Sequence, residues 1–270
     1  MGNAAAGGLL LDTEWLRTLI ALGAIGVART TGLLLITPFL GKGVLTGLAR
    51  NGVILSLSLP VLPLLLAGRP DATPDLFAVL GLVVKELLVG VLLGLPIAAT
   101  SWGLEAAGFV IDNQRGATMA SSLNPATGNQ SSPLGILLAQ VYTTWLFVAG
   151  GFLALLDVLY RSMVAWPVWS FQPVFGPAFP GAMLGLLDSV MRLGILMAGP
   201  AMIAMFLSEF GLALISRFAP SLQVFFLAMP LKSGVGILVL LLSMGVLLVD
   251  TAQQVPTPAA LLQAVTRWMS

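Results

Sequence analysis

Six long apolar stretches decide what this chain can become. They run at roughly 15–40, 52–67, 76–100, 134–156, 182–215 and 235–250. A helix needs about 20 apolar residues to cross a bilayer, and several of these runs are long enough or nearly so. A segment in lipid must satisfy its backbone hydrogen bonds internally, which leaves helices or a closed barrel. The alternating ten-residue strands of a barrel are missing from the sequence. The pattern therefore predicts an all-α, integral membrane helical protein. Composition agrees, with 58% hydrophobic and only 9% charged residues, where a soluble domain carries about 25% charged.

Breakers separate the runs: "GKG" at 41–43, "GRPDATPD" at 68–75, "WPVWSFQPVFGPAFPG" at 166–181 and "APSLQVFFLAMPLKSG" at 219–234. The longest polar interruption is "IDNQRGATMASSLNPATGNQSSPLG" at 111–135, longer than a turn between adjacent helices requires. The N-terminal "MGNAAAGGLLLDTEW" lacks a basic region and meets Asp12 and Glu14 early, so no cleaved signal peptide is expected. Ala6 also stands where a myristoylation signal needs Ser or Thr. No fixed-period repeat is visible.

Charges inside the apolar runs are the next constraint. Arg29 interrupts the first, Lys85 and Glu86 the third, and Asp188, Arg192 and Glu209 the fifth. A charge at the centre of a spanning helix costs about 2.5–3.5 kcal/mol on insertion scales. Two arrangements meet that cost: the charges line an aqueous path, or the helices pack on partner subunits and not on lipid. Spacing supplies three structural charge pairs, Asp112/Arg115 at i,i+3 and Asp157/Arg161 and Asp188/Arg192 at i,i+4. Each has the acid on the N-terminal side, the favourable order on a helix. Their expected role is mutual neutralisation at a helix end or on a buried face. Glu86, Glu105 and Glu209 have no basic residue at i+4, which makes them candidates for contact with water or another chain. Gly43/Gly47, Gly90/Gly94 and Gly181/Gly185 have the small-xxx-small spacing that lets helix backbones approach closely, and Gly90/Gly94 lies within an apolar run. The eleven Met residues read as packing.

Chemistry is sparse. The chain contains no Cys and no His, which removes thiolate, disulfide and His-dependent acid–base chemistry and the usual zinc sites. "GKG" lacks the glycine spacing and the Ser or Thr of a phosphate loop, and no G-x-S-x-G elbow occurs. Ser233 follows Lys232 directly, and neighbours in sequence do not face each other on a helix. No enzyme activity and no cofactor are expected. A net charge of +1 excludes the basic footprint of a nucleic-acid binder.

The string "AAGFVIDNQRGATMASSLNPATGNQSSPLG" follows "KELLVGVLLGLPIAA" and precedes "RFAPSLQVFFLAMPLKSG". In order and spacing these segments resemble the SctT/FliR family of type III secretion export-apparatus proteins, over about residues 15–250. The polar "DNQRG" and "SSLNP" are closer to the injectisome branch than to its flagellar counterpart FliR.

The resemblance implies a multi-pass subunit of the bacterial inner membrane. It assembles with SctR-like and SctS-like subunits, is contacted by an SctU-like subunit, and helps form a gated channel for exported unfolded proteins. It implies an SctR-like half at 1–180 and an SctS-like helical hairpin at 181–270, turning at 219–234, with tilted helices packed in a superhelix. It also implies that the loop at 115–131 reaches into the pore as part of the closed plug, with Arg115, Gly116, Met119, Asn124, Pro125, Gly128 and Gln130 as its candidate residues. Gly116 and Gly128 permit sharp turns, Pro125 stiffens the loop and Asn124 tolerates turn conformations. A solvated connector outside the membrane is the other reading of that composition. Pro220, Gln223, Pro230 and Lys232 are implied to face the cytoplasmic mouth. Read without the resemblance, "SLQVFFLAMP" is a proline-bounded amphipathic segment suited to a partner or to a membrane surface.

A rival from another class is a small proton- or solute-coupled carrier using Glu86, Glu105 or Glu209. A carrier purifies as a monomer or homo-oligomer, whereas an export-gate subunit co-purifies with unlike chains. We expect the isolated chain, expressed without partners, to aggregate in mild detergent. A monodisperse, stable monomer on size exclusion counts against that expectation.

Overall fold

The computed structural model describes residues 2–40, 47–68, 75–117, 132–171, 176–218 and 224–254, with side chains from Thr18 onward and, in the last helix, from Ala228 to Gly245. Eight α-helices occur among them: α1 (Gly2–Ile36), α2 (Gly47–Ser58), α3 (Leu62–Ala67), α4 (Leu76–Gln114), α5 (Pro133–Val148), α6 (Gly151–Ala165), α7 (Phe179–Phe218) and α8 (Val224–Gln254). No strand is present among the described residues. The chain is an all-α integral membrane protein.

Five helical stretches are long and apolar enough to cross a membrane: Thr18–Ile36, Gly47–Ala67, Leu76–Gln114, Phe179–Phe218 and Ala228–Gly245. The sequence suggested one further run at 134–156. It falls on two helices, α5 and α6, which are apolar enough to cross only when taken together as one broken span. The break falls at Gly150, whose φ of 79° is left-handed and easy only for glycine. Helices α4 and α7 contain 39 and 40 residues. At 1.5 Å per residue each is about 60 Å long if straight, roughly twice the hydrocarbon thickness of a bilayer. Each must tilt steeply or extend out of the lipid.

The chain packs as two compact units. The first comprises the described residues up to Ala98 together with Gly150–Pro180; the second comprises Ala99–Ala149 with the described part of Gly181–Pro256. The boundary lies inside α4, two residues after its internal Pro96. These units cut the chain differently from the halves 1–180 and 181–270.

In the first unit α1 and α4 touch backbone to backbone. A Cβ on Gly90 would fall on the Arg29 carbonyl oxygen, and one on Gly32 on the Leu87 carbonyl oxygen. One turn after Gly90, a Cβ on Gly94 would lie 3.0 Å from the Leu33 oxygen and within the Ile36 side chain. The Gly90/Gly94 spacing thus marks a real crossing. Among the described residues Gly47, Gly181 and Gly185 have nothing within 4 Å of a built Cβ and mark no close helix contact there; Gly43 lies outside the described residues. Leu33, Leu82, Leu93 and Leu155 fill the core around this crossing, and Phe39 meets Phe152 edge to face at 5.3 Å. Tyr160 donates to the Leu57 carbonyl at 3.0 Å and Trp169 to that of Leu65 at 3.2 Å, tying α6 and the segment after it to α2 and α3.

The second unit repeats the device. A Cβ on Gly108 of α4 would collide with the backbone of Gly135 at the start of α5. Gly236 of α8 accommodates the sulfur of Met205, 2.7 Å from its built Cβ position. Much of α7 and α8 remains apolar and exposed, including Leu184, Met191, Ile203 and Phe206 on α7 and Leu238, Leu241 and Leu242 on α8.

We expect Gly90→Ala to destabilise the protein by about 1–3 kcal/mol, because two backbones must separate to admit the methyl group. Gly23→Ala in α1, where a Cβ meets nothing within 4 Å among the described residues, is expected to be neutral or mildly stabilising, since Ala is the better helix former. Thermal loss of the monodisperse peak in detergent measures both. Equal midpoints for the two variants contradict the packing account.

Candidate functional site

Two buried polar clusters stand out, one in each unit. In the first unit, Arg29 and Glu86 are both fully buried. The guanidinium grips the carboxylate with Nε to Oε2 at 2.6 Å and Nη2 to Oε1 at 2.9 Å, a two-pronged, charge-assisted pair. Its remaining donors reach the Ser162 hydroxyl at 3.1 Å and the Trp166 carbonyl at 3.0 Å. Lys85 also pairs with Glu86, and it donates to the Val168 and Ser170 carbonyls at 2.8 and 3.0 Å. Two cations thus share one carboxylate, and the surplus positive charge rests on carbonyl dipoles after α6. The cluster fastens α1, α4, α6 and the segment 166–170 together. The glycine crossing makes this possible, since it brings the α1 and α4 backbones together where Arg29 and Glu86 must meet.

Sequence spacing could not reveal this pair. Arg29 and Glu86 are separated by 57 residues, and only their status as charges in apolar runs hinted at it. Glu86 was expected to contact water or another chain because it has no i+4 partner; the structure corrects this, since its partner lies across the helix crossing. Glu209 is bridged by Lys232 at 2.7 Å and stays exposed, open to the expected contact with water or another chain. Glu105 is exposed.

The second cluster lies at the base of the polar segment. Asp112, two residues before the end of α4, is fully buried. One carboxylate oxygen accepts from Arg115, with Nε at 2.8 Å and Nη2 at 2.7 Å. The other accepts from the Ser132 hydroxyl at 2.6 Å and the Leu134 backbone N–H at 3.0 Å. Ser132 in turn caps α5 by accepting from the Gly135 N–H at 2.9 Å, with Pro133 at the first helical position. One carboxylate therefore holds both ends of the segment between Arg115 and Ser132. Gly116, with φ of 80°, turns the chain out of α4. The Gly108–Gly135 contact one turn below sets the spacing at which Asp112 can reach Ser132. Arg115 also donates to the Ser233 hydroxyl of α8 at 3.4 Å, the long end of hydrogen-bonding range.

The other sequence candidates divide plainly. Met119, Asn124, Pro125, Gly128 and Gln130, and likewise Pro220 and Gln223, lie outside the described residues. Pro230 and Lys232 were expected in a turn at 219–234, but α8 begins at Val224 and contains both, so this part of the expected turn is helical. A proline inside a helix costs one backbone hydrogen bond and need not end it when tertiary packing holds the flanks. Asp157 and Arg161 pair at 2.9 Å on an exposed surface. Asp188 and Arg192 are both exposed on α7, and no ion pair joins them among the described residues. Favourable i,i+4 spacing permits a pair but does not compel one on an exposed helix face. Among the described residues no group of His, Cys, Asp and Glu is arranged to hold a metal ion.

A multi-spanning helical chain, short of catalytic groups, with a polar segment clasped at its base, is the architecture of a membrane-embedded assembly component. The sequence matches the family described as bacterial export proteins, family 1, over residues 20–255. The chain belongs to that family, the SctT/FliR family of type III export-apparatus proteins. It is 47% identical to the Yop proteins translocation protein T of Yersinia pestis over 208 residues, 77% of this chain and 79% of that protein. It is 34% identical over 233 residues to the surface presentation of antigens protein SpaR of Salmonella typhimurium, 86% of each. Against the flagellar biosynthetic protein FliR of Bacillus subtilis, identity is 30% over 169 residues, 62% of this chain and 65% of that protein. Family membership decides for an export component over a self-contained carrier.

Glu86→Gln strands Arg29 and Lys85 without a counter-charge, and removing one partner of a buried pair costs about 3–5 kcal/mol. We expect this variant to be lost from the membrane fraction or to unfold at a much lower temperature. Asp157→Asn, in the exposed pair, is expected to cost below about 1 kcal/mol. Quantitative membrane immunoblots and thermal midpoints in detergent compare them, and a Glu86→Gln protein as stable as Asp157→Asn contradicts the buried-cluster reading.

Proposed function

We propose that this chain forms part of the gated inner-membrane channel of a type III export apparatus, through which unfolded proteins leave the cell. It does so beside SctR-like, SctS-like and SctU-like subunits, with residues 1–180 as the SctR-like half and 181–270 as the SctS-like hairpin. The higher identity to the Yersinia translocation protein than to flagellar FliR supports the injectisome branch. Exposed apolar faces on α7 and α8 suit burial against lipid or neighbouring subunits.

Residues Arg115–Ser131 contribute to the closed seal. The observation that carries this reading is the Asp112 clasp, whose buried carboxylate binds both Arg115 and Ser132. A connector that merely spans the distance between two helices needs no such tie across its base. A projecting element does, because its position depends on how rigidly its ends are held. The Lys232–Glu209 bridge braces α7 against α8, supporting a cytoplasmic-mouth role for the hairpin end that carries Pro220, Gln223, Pro230 and Lys232.

Deleting Ala117–Ser122 leaves the clasp and the packing faces of the helices in place. We expect the assembled complex to form at near-normal levels and to leak ions, since an idle water-filled conduit is tight only when occluded. Asp112→Ala is expected to leak as well, with the full loop present, because both loop ends lose their anchor. Conductance or dye efflux from vesicles carrying the complex measures this. A tight deletion variant favours the connector reading, and loss of assembly makes the loop a scaffold.

A further inference from the structure

Where the last turns of α1 face the start of α2 there is a cavity of ≈ 300 Å³. Leu34 and Ile54 form its buried wall, and Leu35 and Leu55 stand at its mouth, 64% and 56% exposed. Arg50 supplies its charge. The Arg50 Nε is buried and has no hydrogen-bond partner, and no acidic residue lines the cavity among the described residues. Thr31, also in the lining, directs its hydroxyl to the Val27 carbonyl at 2.8 Å. The contrast with the other cations is sharp. Arg29, Lys85, Arg115, Arg161 and Lys232 each pair with a carboxylate, while Arg192 and Arg217 are exposed. A buried guanidinium donor in largely apolar surroundings calls for an anion, and the described residues supply none.

The position of the cavity says which anion. Both walls belong to candidate spans, Thr18–Ile36 and Gly47–Ala67. Arg50 is the fourth residue of one span, and Leu34 and Leu35 are the last before Ile36 in the other. The charged part of the cavity therefore sits at the ends of two spans, at headgroup depth, while Val27 and Leu55 of its lining lie deeper in those spans. Basic pockets between spanning helices suit lipid headgroups, and a guanidinium fork matches the two free oxygens of a phosphodiester. We propose that the α1–α2 cavity binds one anionic phospholipid, with its phosphate on Arg50 and an acyl chain along Leu55.

The test uses the full chain in the complex with which it purifies in mild detergent. Native mass spectrometry counts retained lipid after titration with dioleoyl-phosphatidylglycerol or dioleoyl-phosphatidylcholine. The expected result is one tightly retained phosphatidylglycerol, favoured over phosphatidylcholine on the order of tenfold. Arg50→Gln abolishes that preference, whereas Arg161→Gln, which deletes the same charge from an exposed pair, leaves it intact. Equal retention by Arg50→Gln, or no preference in the parent, overturns the proposal. Displacement by millimolar inorganic phosphate marks a free-anion site and overturns the lipid assignment. A photocrosslinking residue at Leu55 in the assembled complex gives an independent reading that needs no Arg50 variant. A lipid adduct supports the proposal, and an adduct to another protein chain means that a partner fills the cavity and overturns it.

Discussion

Arg29 and Glu86 are withdrawn from solvent entirely, in a chain whose other interior contacts are overwhelmingly apolar. Neither charge is tolerable there without the other, and neither reaches the other unless α1 and α4 nearly touch. Gly32, Gly90 and Gly94 permit that approach, because every larger residue would place a Cβ on the facing backbone. Ion pair and glycine crossing are thus one device. The glycines bring the backbones together, and the desolvated pair penalises any register in which the two charges do not meet. Lys85 extends the device by capping carbonyls of the segment after α6, so the same carboxylate orders a stretch of irregular backbone.

The second unit solves a related problem with the same parts. Gly108 and Gly135 let α4 and α5 cross closely, and the buried Asp112 carboxylate then binds Arg115, Ser132 and the Leu134 N–H. Here the charge organises the two ends of a polar segment. Hydrophobic burial alone cannot hold such a segment, since it has too few apolar side chains to anchor itself. A carboxylate with both oxygens satisfied supplies directional contacts that apolar packing lacks.

Much of this was legible in the sequence. Apolar run lengths gave the helices and the membrane character, and the motif "DNQRG…SSLNP" pointed to the family through its order and spacing. Local pairs were legible only as possibilities. Asp112/Arg115 and Asp157/Arg161 form, while Asp188/Arg192, equally well spaced, does not, because spacing carries no information about solvation. Contacts between distant segments were not legible at all. Glu86 looked partnerless along its own helix, and its true partner is set by which helices cross. Gly90/Gly94 could be told from Gly181/Gly185 only by its apolar setting, and the crossing partner, Gly32 included, came from the structure. The break at Gly150 was hidden in the same way, since an apolar run continues across it and only the left-handed φ shows the turn.

The distribution of satisfied and unsatisfied polar groups connects these points to an assembly. Among the described residues the buried carboxylates of Glu86 and Asp112 are neutralised at the helix crossings, and of the charged groups the Arg50 Nε is left buried without a partner. What the chain leaves open is apolar: Leu184, Ile203, Phe206 and Leu241 all face outward. At 1.5 Å per residue α7 is about 60 Å and α8 about 46 Å long if straight, more than a bilayer of about 30 Å covers when the helices run along its normal. Lipid can satisfy part of such a surface, and the remainder needs protein of similar character. A subunit built this way keeps its specificity in buried polar clusters, which fix its own geometry, and its binding energy in exposed apolar faces, which recruit neighbours.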